Sequence, residues 1–488
     1  MNQPSVKKNY IYRLLYEILI LIMPFITTPY VSRVLGADGV GIYSFTTSIM
    51  SYFTLFAALG TASYGAREIA QHRDDKKVAS KLFWEIELMT VGTSLICLVI
   101  WIIFILFSTE YKYYYVALIP TLLSTMVDIS WYFTGYEEIK YIVLRNTICK
   151  LLGVVLLFLL VREKNDLLLY VIINSSVQLI GNLTMWTYIP KMVVKIDFHT
   201  LTFKKHFKET LVYFIPTIAT SVYTILDKTL IGLITESTFQ NGYYEQATKI
   251  INIVKTLVFT SVNSVMGARI SYLFAEKKYN EIHHRIERSM DFIFLLGFGC
   301  IFGIIGISKN FVPLFFGKGY EPVISLLYLM APLILIIGIS NCLGSQYYTP
   351  SGQRKLSAKI IVLGSCINLC MNLICIPFFG AVGATIGSII AESTISILYV
   401  KMSNNYMTSS KLWKYTKKRL FASTIMLGVI FILDIILNTS LIVTICIQVI
   451  LGSMTYIVLL LIMKDSMLIE LLNIVLNILK NTQRRFSR

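Results

Sequence analysis

Apolar runs long enough to cross a bilayer recur along the whole chain, and that recurrence rules out a soluble core before any motif is considered. About twenty residues at about 1.5 Å rise span a hydrocarbon layer of about 30 Å. Runs of that length lie at 14–34, 41–64, 84–108, 113–134, 140–161, 166–188, 210–233, 242–266, 289–308, 321–347, 356–378, 381–402, 419–438 and 441–463. Charged residues make up only 15% of the chain and hydrophobic ones 56%, where a soluble domain carries about 25% charged. The sequence therefore predicts an all-α membrane protein with about fourteen transmembrane helices.

A formal net charge of +17 invites a nucleic-acid reading. The cations, however, sit in short loops between apolar runs, so no nucleic-acid partner is expected. Thirty-four of the 44 lysines and arginines fall on the side shared by both termini, and seven fall on the opposite side or its margin. By the positive-inside rule both termini of this multi-pass membrane protein are cytoplasmic. Lys7, Lys8 and Arg13 precede the first run with no small-residue cleavage site after it, which predicts a retained helix rather than a signal peptide. Basic stretches near 189–209 and 403–418 divide the spans into six, six and two. The expected units are an N-lobe at 1–195, a C-lobe at 196–405, two further spans at 406–463 and a basic cytoplasmic tail at 464–488.

The two six-span units carry matching landmarks in one order. Pro24 pairs with Pro216, Gly41-Ile42-Tyr43 with Gly242-Tyr243-Tyr244, and Gly65-Ala66-Arg67 with Gly267-Ala268-Arg269. Pro120 then pairs with Pro332, and Thr134-Gly135 with Ser351-Gly352. Such an ordered series points to an internal duplication. Because each unit has an even number of spans, the copies share orientation, and a central cavity between parallel lobes is the expected architecture.

Ionisable side chains inside spans cost several kcal/mol on insertion and normally face a bundle interior or a wet cavity. Those found here are Glu17, Arg33, Asp128, Lys150, Asp227, Lys228, Glu245, Lys249, Lys255, Glu392 and Asp434. At 100° per residue, Glu245, Lys249, Asn252, Thr256 and Asn263 share one face of the eighth span, with Lys255 on its flank. That stripe reads as a cavity lining, although Glu245 and Lys249 at i,i+4 can also satisfy each other. Arg33 either snorkels to the interface or contacts a phosphate, Lys150 either lines a cavity or pairs with Asp128, and Lys228 either binds substrate or pairs with Asp227. Asn174, Gln178 and Asn182, like Asn368 and Asn372, either bind sugar hydroxyls or join helices, the second being the commoner use. Gly380, Gly383 and Gly387 read as close-packing positions.

All five histidines are expected in cytoplasmic loops, which leaves Glu17, Asp128, Asp227 and Glu392 as candidates for ion coupling. The eight cysteines lie in apolar spans with no CxxC, so neither a disulfide nor a metal site is expected. HExxH, GxSxG, a Walker loop and GxGxxG are all missing, so no cofactor is expected and ATP cannot power the chain by itself.

The run Thr28-Pro29-Tyr30-Val31-Ser32-Arg33-Val34-Leu35-Gly36, continued by Gly39 and Gly41-Ile42-Tyr43-Ser44-Phe45, resembles the N-terminal signature of Wzx-like polysaccharide flippases of the multidrug/oligosaccharidyl-lipid/polysaccharide exporter superfamily. The resemblance implies a non-enzymatic protein. It implies the flipping of undecaprenyl-diphosphate-linked oligosaccharide repeat units for capsule or O-antigen synthesis, by alternating access. It further implies a cationic cavity, ion-gradient coupling, membrane lipids around the substrate's tail, and a polymerase and chain-length regulator as possible partners. The cavity cations carry over to Arg33, Lys150, Lys228, Lys249 and Lys255, with Asn252 beside them. Two rivals remain. A multidrug exporter of the same superfamily would prefer carboxylates in its cavity, and a membrane polymerase or acyltransferase would need a large external loop.

Overall fold

The computed structural model describes residues 6–486, and among them every regular element is helical. Eleven helices are long and apolar enough to cross a membrane. The helices at 204–235 and 238–275 fall outside that set, so fourteen spans stays an expectation. Close contacts divide the chain into Met1–Gly242 and Tyr243–Arg488, and each unit is described by itself.

The first unit begins with α1 (Val6–Ala58). Pro24 and Pro29 both sit inside helical backbone; the break falls instead at Gly36, with φ 70° and ψ 175°, a conformation that glycine adopts without Cβ strain. Helices α2 (Thr61–His72), α3 (Lys76–Phe107), α4 (Lys112–Ala117), α5 (Ile119–Met126) and α6 (Ser130–Gly135) follow. The unit then runs through α7 (Ile139–Leu160), α8 (Leu167–Met185), α9 (Ile189–Met192) and α10 (Lys204–Thr235). Asp75 caps α3 by accepting from the backbone N–H groups of Lys77 and Val78, which satisfies two donors a helix start otherwise leaves open. Aromatic side chains fill the interior: Phe83, Trp131, Tyr132 and Phe133 form one cluster, and Trp101, Tyr115 and Phe53 another. The Trp101 indole donates to the Tyr115 carbonyl at 3.1 Å, so its one polar atom is satisfied in the core.

His206 corrects an expectation. It lies inside α10, 2% exposed, rather than in a loop. Its Nε2 meets Glu85 Oε2 at 2.9 Å and its Nδ1 meets the Tyr64 hydroxyl at 2.6 Å. Hydropathy locates a span but not its helix, and α10 begins several polar residues before the apolar run. Pro216, expected to match Pro24, lies outside the described side chains.

The second unit continues α11 (Thr238–Lys255), which passes through a π-helix at Thr256–Thr260 into α12 (Ser261–Ala275). It holds α13 (Tyr279–Phe316), α14 (Pro322–Met330) and α15 (Leu333–Leu343), then a second π-helix at Gly344–Tyr348. Helices α16 (Arg354–Phe379), α17 (Ala381–Lys401), α18 (Ser409–Ile436), α19 (Leu441–Ile462) and α20 (Ser466–Phe486) complete it. Gly383 and Gly387 let α17 lie against α16: a Cβ at either would stand 2.4 Å from the Cys375 carbonyl oxygen or from Asn372 Oδ1 respectively. Asn372 donates to Asn368 within α16 at 3.1 Å, both side chains fully buried, and Asn368 donates to Ser388 of α17 at 3.5 Å, so the pair joins the two helices.

Candidate functional site

A cavity of 610 Å³ lies within the first unit, walled by α1, α7, α8 and the α5–α6 turn. Tyr16, Pro24 and Thr27 come from α1, Arg145, Asn146 and Lys150 from α7, and Tyr170, Asn174, Gln178 and Asn182 from α8. Asp128 reaches it from the turn. Residues 145, 149 and 153 repeat at one helical turn, as do 170, 174, 178 and 182, so each helix presents one face to the same space.

The electrostatics of this space are uneven. The Lys150 ammonium stands 5.5 Å from the centre of the Tyr16 ring, a cation–π contact. It makes no ion pair or hydrogen bond among the described residues, Asp128 included. Arg145 donates from Nη1 to Asn182 Oδ1 at 2.8 Å, and from Nε and Nη2 to Asn146 Oδ1 at 2.9 and 2.5 Å. Amide oxygens satisfy its geometry without cancelling its charge. Asp128 Oδ1 accepts from the Ser130 backbone N–H at 2.9 Å. The cavity thus holds two cations, one carboxylate, four amides and two tyrosines. Asn182 does two jobs at once, since its Nδ2 also donates to the carbonyl and hydroxyl of Ser124 at 2.8 Å, joining α8 to α5.

Of the residues singled out in the sequence, Lys150 and Asp128 meet here, together with Asn174, Gln178 and Asn182. Arg145 was missed: placed at the start of a span, it counted as a loop cation, yet it sits on the second turn of α7 and turns inward. Arg33 is exposed on α1, three residues before the Gly36 break, and Glu17 is exposed on the same helix. On α10, Asp227 is buried and Lys228 half-buried.

The stripe expected on the eighth span does not stay on one face. Lys249 meets Glu245 at 3.4 Å, the i,i+4 alternative. Asn252 is exposed. Lys255, at the end of α11, interacts electrostatically with Glu392, a buried residue of α17. Beyond it the π-helix inserts an extra residue and rotates everything that follows. Asn263 is therefore buried, donating to Asn341 at 2.6 Å and accepting from Gln346 at 2.7 Å. A constant 100° per residue could not reveal that turn.

Three positions of the signature, Tyr30, Gly36 and Gly41, have structural roles. The Tyr30 hydroxyl donates to the Val161 carbonyl at 2.7 Å. Gly36 supplies the break, and a Cβ at Gly41 would overlap the backbone of Thr238.

Residues 6–274 match the family model described as polysaccharide biosynthesis protein, and residues 146–452 match the model described as lipid II flippase MurJ. A protein of Escherichia coli (strain K12) assigned as an O-antigen transporter is 23% identical over 413 residues, covering 83% of this chain and 98% of that one. A protein of Haloferax volcanii assigned as a low-salt glycan biosynthesis flippase is 23% identical over 236 residues, 48% of this chain and 49% of that one. Among solved structures, the lipid II flippase MurJ in an inward closed conformation aligns at TM-score 0.75 with 17% identity, covering 93% of this chain and 99% of its own. An inward-facing multidrug resistance transporter of the MATE family aligns at 0.58 with 13% identity, covering 86% and 98%. These structural likenesses establish the fold.

Proposed function

This chain belongs to the polysaccharide biosynthesis protein family, and we propose that it flips an undecaprenyl-diphosphate-linked oligosaccharide repeat unit from the inner to the outer leaflet of a bacterial plasma membrane. The observation that carries this reading is that Arg145 and Lys150 share one cavity with no carboxylate bound to either among the described residues. A diphosphate cannot enter hydrocarbon unaided, because stripping water from an anion costs far more than any single contact returns. Two fixed cations at about 4 Å supply about 4 kcal/mol each at an effective dielectric of about 20, which offsets part of that loss. The planar guanidinium suits a bidentate phosphate contact, and the ammonium acts as a point charge beside it. Asn146, Asn174, Gln178 and the two tyrosines offer donors and acceptors to sugar hydroxyls.

In this reading Lys150 and Arg145 bind the diphosphate, while Arg33, Lys228, Lys249, Asn252 and Lys255 are further contacts along the substrate's route. The proposed topology has six spans in each of the lobes 1–195 and 196–405 and two more at 406–463, with both termini cytoplasmic. A polymerase and a chain-length regulator are the proposed partners. A single carboxylate against two cations disfavours an organic-cation exporter.

The test is complementation of a flippase-deficient strain, with lipid-linked repeat units in the inner leaflet as readout. Arg145→Gln with Lys150→Gln should lower flipping at least tenfold while membrane insertion is unchanged. Full complementation by the double variant, inserted at normal levels, would overturn the assignment.

A further inference from the structure

The basic tail expected at 464–488 folds as a helix, α20, over most of its length. That helix is long enough to cross a bilayer but is not among those apolar enough to do so. Only Met463, Lys464 and Asp465 separate it from the last residue of α19, so its first turn stands at the surface of the membrane that α19 crosses. The junction is held from two neighbouring helices. Lys418 of α18 donates to the Lys464 carbonyl at 3.1 Å, and Arg419 of α18 pairs with Asp465. Asp465 also accepts from the Met467 and Leu468 backbone N–H groups, while Glu470 pairs with Arg288 of α13. These contacts fix how α20 is turned about its axis. Met467 faces the protein and is 5% exposed. At 100° per residue, Ile469, Leu472 and Leu476 share an arc of about 60° on another side, and they are 37%, 37% and 51% exposed. Asn473 and Asn477, also exposed, occupy the side next to that arc. One helix therefore has a protein side, an uncovered apolar side and a polar side.

We propose that α20 lies in the plane of the membrane surface, with its apolar side among acyl chains and its C-terminal half on the phosphates of anionic phospholipids. A helix with one apolar side, one polar side, low overall hydropathy and basic residues partitions into the boundary between headgroups and chains rather than crossing it. The charges are arranged for that surface. Both acids of the segment, Asp465 and Glu470, are engaged by Arg419 and Arg288 at its start. From residue 471 onward the sequence carries Lys480, Arg484, Arg485 and Arg488 and no acidic residue. A negative leaflet attracts each of those cations, and no neighbouring carboxylate in the segment offsets them. A second copy of α20 is the poorer cover for the same side, because it offers no acid beyond residue 470 to meet them. The ion pairs to α13 and α18 then tie the leaflet-bound helix to the second unit. This placement is independent of what the protein transports.

The experiment uses the full chain in vesicles of phosphatidylcholine with or without phosphatidylglycerol. A trace of phosphatidylcholine bearing a diazirine near the glycerol end of one acyl chain labels whatever meets the lipid, and mass spectrometry locates the adducts. Helix α19 is the internal standard, since its labelling reports insertion in every sample. In vesicles containing phosphatidylglycerol, Ile469, Leu472 and Leu476 should be labelled and Asn473 and Asn477 should not. Labelling of α20 relative to α19 should fall by about twofold or more when phosphatidylglycerol is left out. The Lys480→Gln, Arg484→Gln, Arg485→Gln triple variant should show the same fall with phosphatidylglycerol present. A labelled α19 beside an unlabelled α20 overturns the placement, and cross-links between the α20 helices of two copies would then assign the apolar side to a second copy. Equal labelling of the leucines and the asparagines overturns the assigned facing. A triple variant labelled like the wild type overturns the part given to anionic lipid.

Discussion

Gly41 and Gly242 each rest on the turn that precedes the other. A Cβ on Gly41 would lie 1.7 Å from the carbonyl oxygen of Thr238, four residues before Gly242, and a Cβ on Gly242 would lie 2.0 Å from the carbonyl oxygen of Ala37, four residues before Gly41. The contact is reciprocal: the carbonyl oxygen of each segment occupies the place that a Cβ on the other's glycine would take. Ser48 and Thr229 extend it with a hydroxyl–hydroxyl bond at 2.9 Å, joining α1 to α10.

Either Gly41→Ala or Gly242→Ala should be severely disruptive. The obstacle in both cases is backbone, which cannot swing aside as a side chain can, so the cost lies at or above the top of the usual overpacking range of about 1–3 kcal/mol. The thermal midpoint of the purified protein in detergent should fall by several degrees in both variants, or monodisperse protein should not be recovered. A wild-type midpoint in either variant would contradict the reciprocal contact.

The glycines Gly65 and Gly267, matched in the sequence, should split in sign. Gly65 in α2 packs on the indole of Trp131, which a Cβ would approach to 2.4 Å, and that ring is 3% exposed and stacked on Phe83 at 5.9 Å between centroids. Gly267 in α12 has nothing within 4 Å of where its Cβ would go. Gly65→Ala should therefore lower the melting midpoint, while Gly267→Ala should leave it unchanged or raise it, since alanine is worth up to about 1 kcal/mol over glycine in a helix. Equal effects of the two substitutions would show that Trp131 moves freely.

These pairs also show how far the chain could be read from its letters. Spans are legible because hydropathy and length alone set them, and the two glycines at 41 and 242 stood out in the sequence. Which glycine is forced did not, because that depends on whether Trp131 stands opposite. Arg145 escaped because it lies near the end of an apolar run, where a charge reads as interfacial, yet it points inward. Asn263 was placed on the wrong face because the π-helix at Thr256–Thr260 breaks the 3.6-residue period that the reading assumed.

Arg419 was counted among the loop cations, but it is a buried ionic centre of the second unit. It is 1% exposed at the start of the apolar part of α18. Its Nη2 lies 2.6 Å from Asp291 Oδ1 and 3.1 Å from Asp465 Oδ1, its Nε donates to Asp465 Oδ2 at 3.2 Å, and its Nη1 donates to the Asp291 carbonyl at 2.7 Å. Asp465 also accepts from the backbone N–H groups of Met467 and Leu468 at 3.1 Å, so the same carboxylate starts α20. Removing the guanidinium leaves two aspartates facing each other in the interior, a loss of about 3–5 kcal/mol. Arg419→Met should lower the melting midpoint strongly. Arg419→Lys should recover less than half of the difference, because an ammonium cannot reproduce the fork that serves both carboxylates and a carbonyl. Replacing Asp291 by Asn in the Arg419→Met background should restore part of the midpoint by removing one of the stranded charges. A midpoint unchanged in Arg419→Met would mean that the two aspartates find water or protons as readily as they find the arginine.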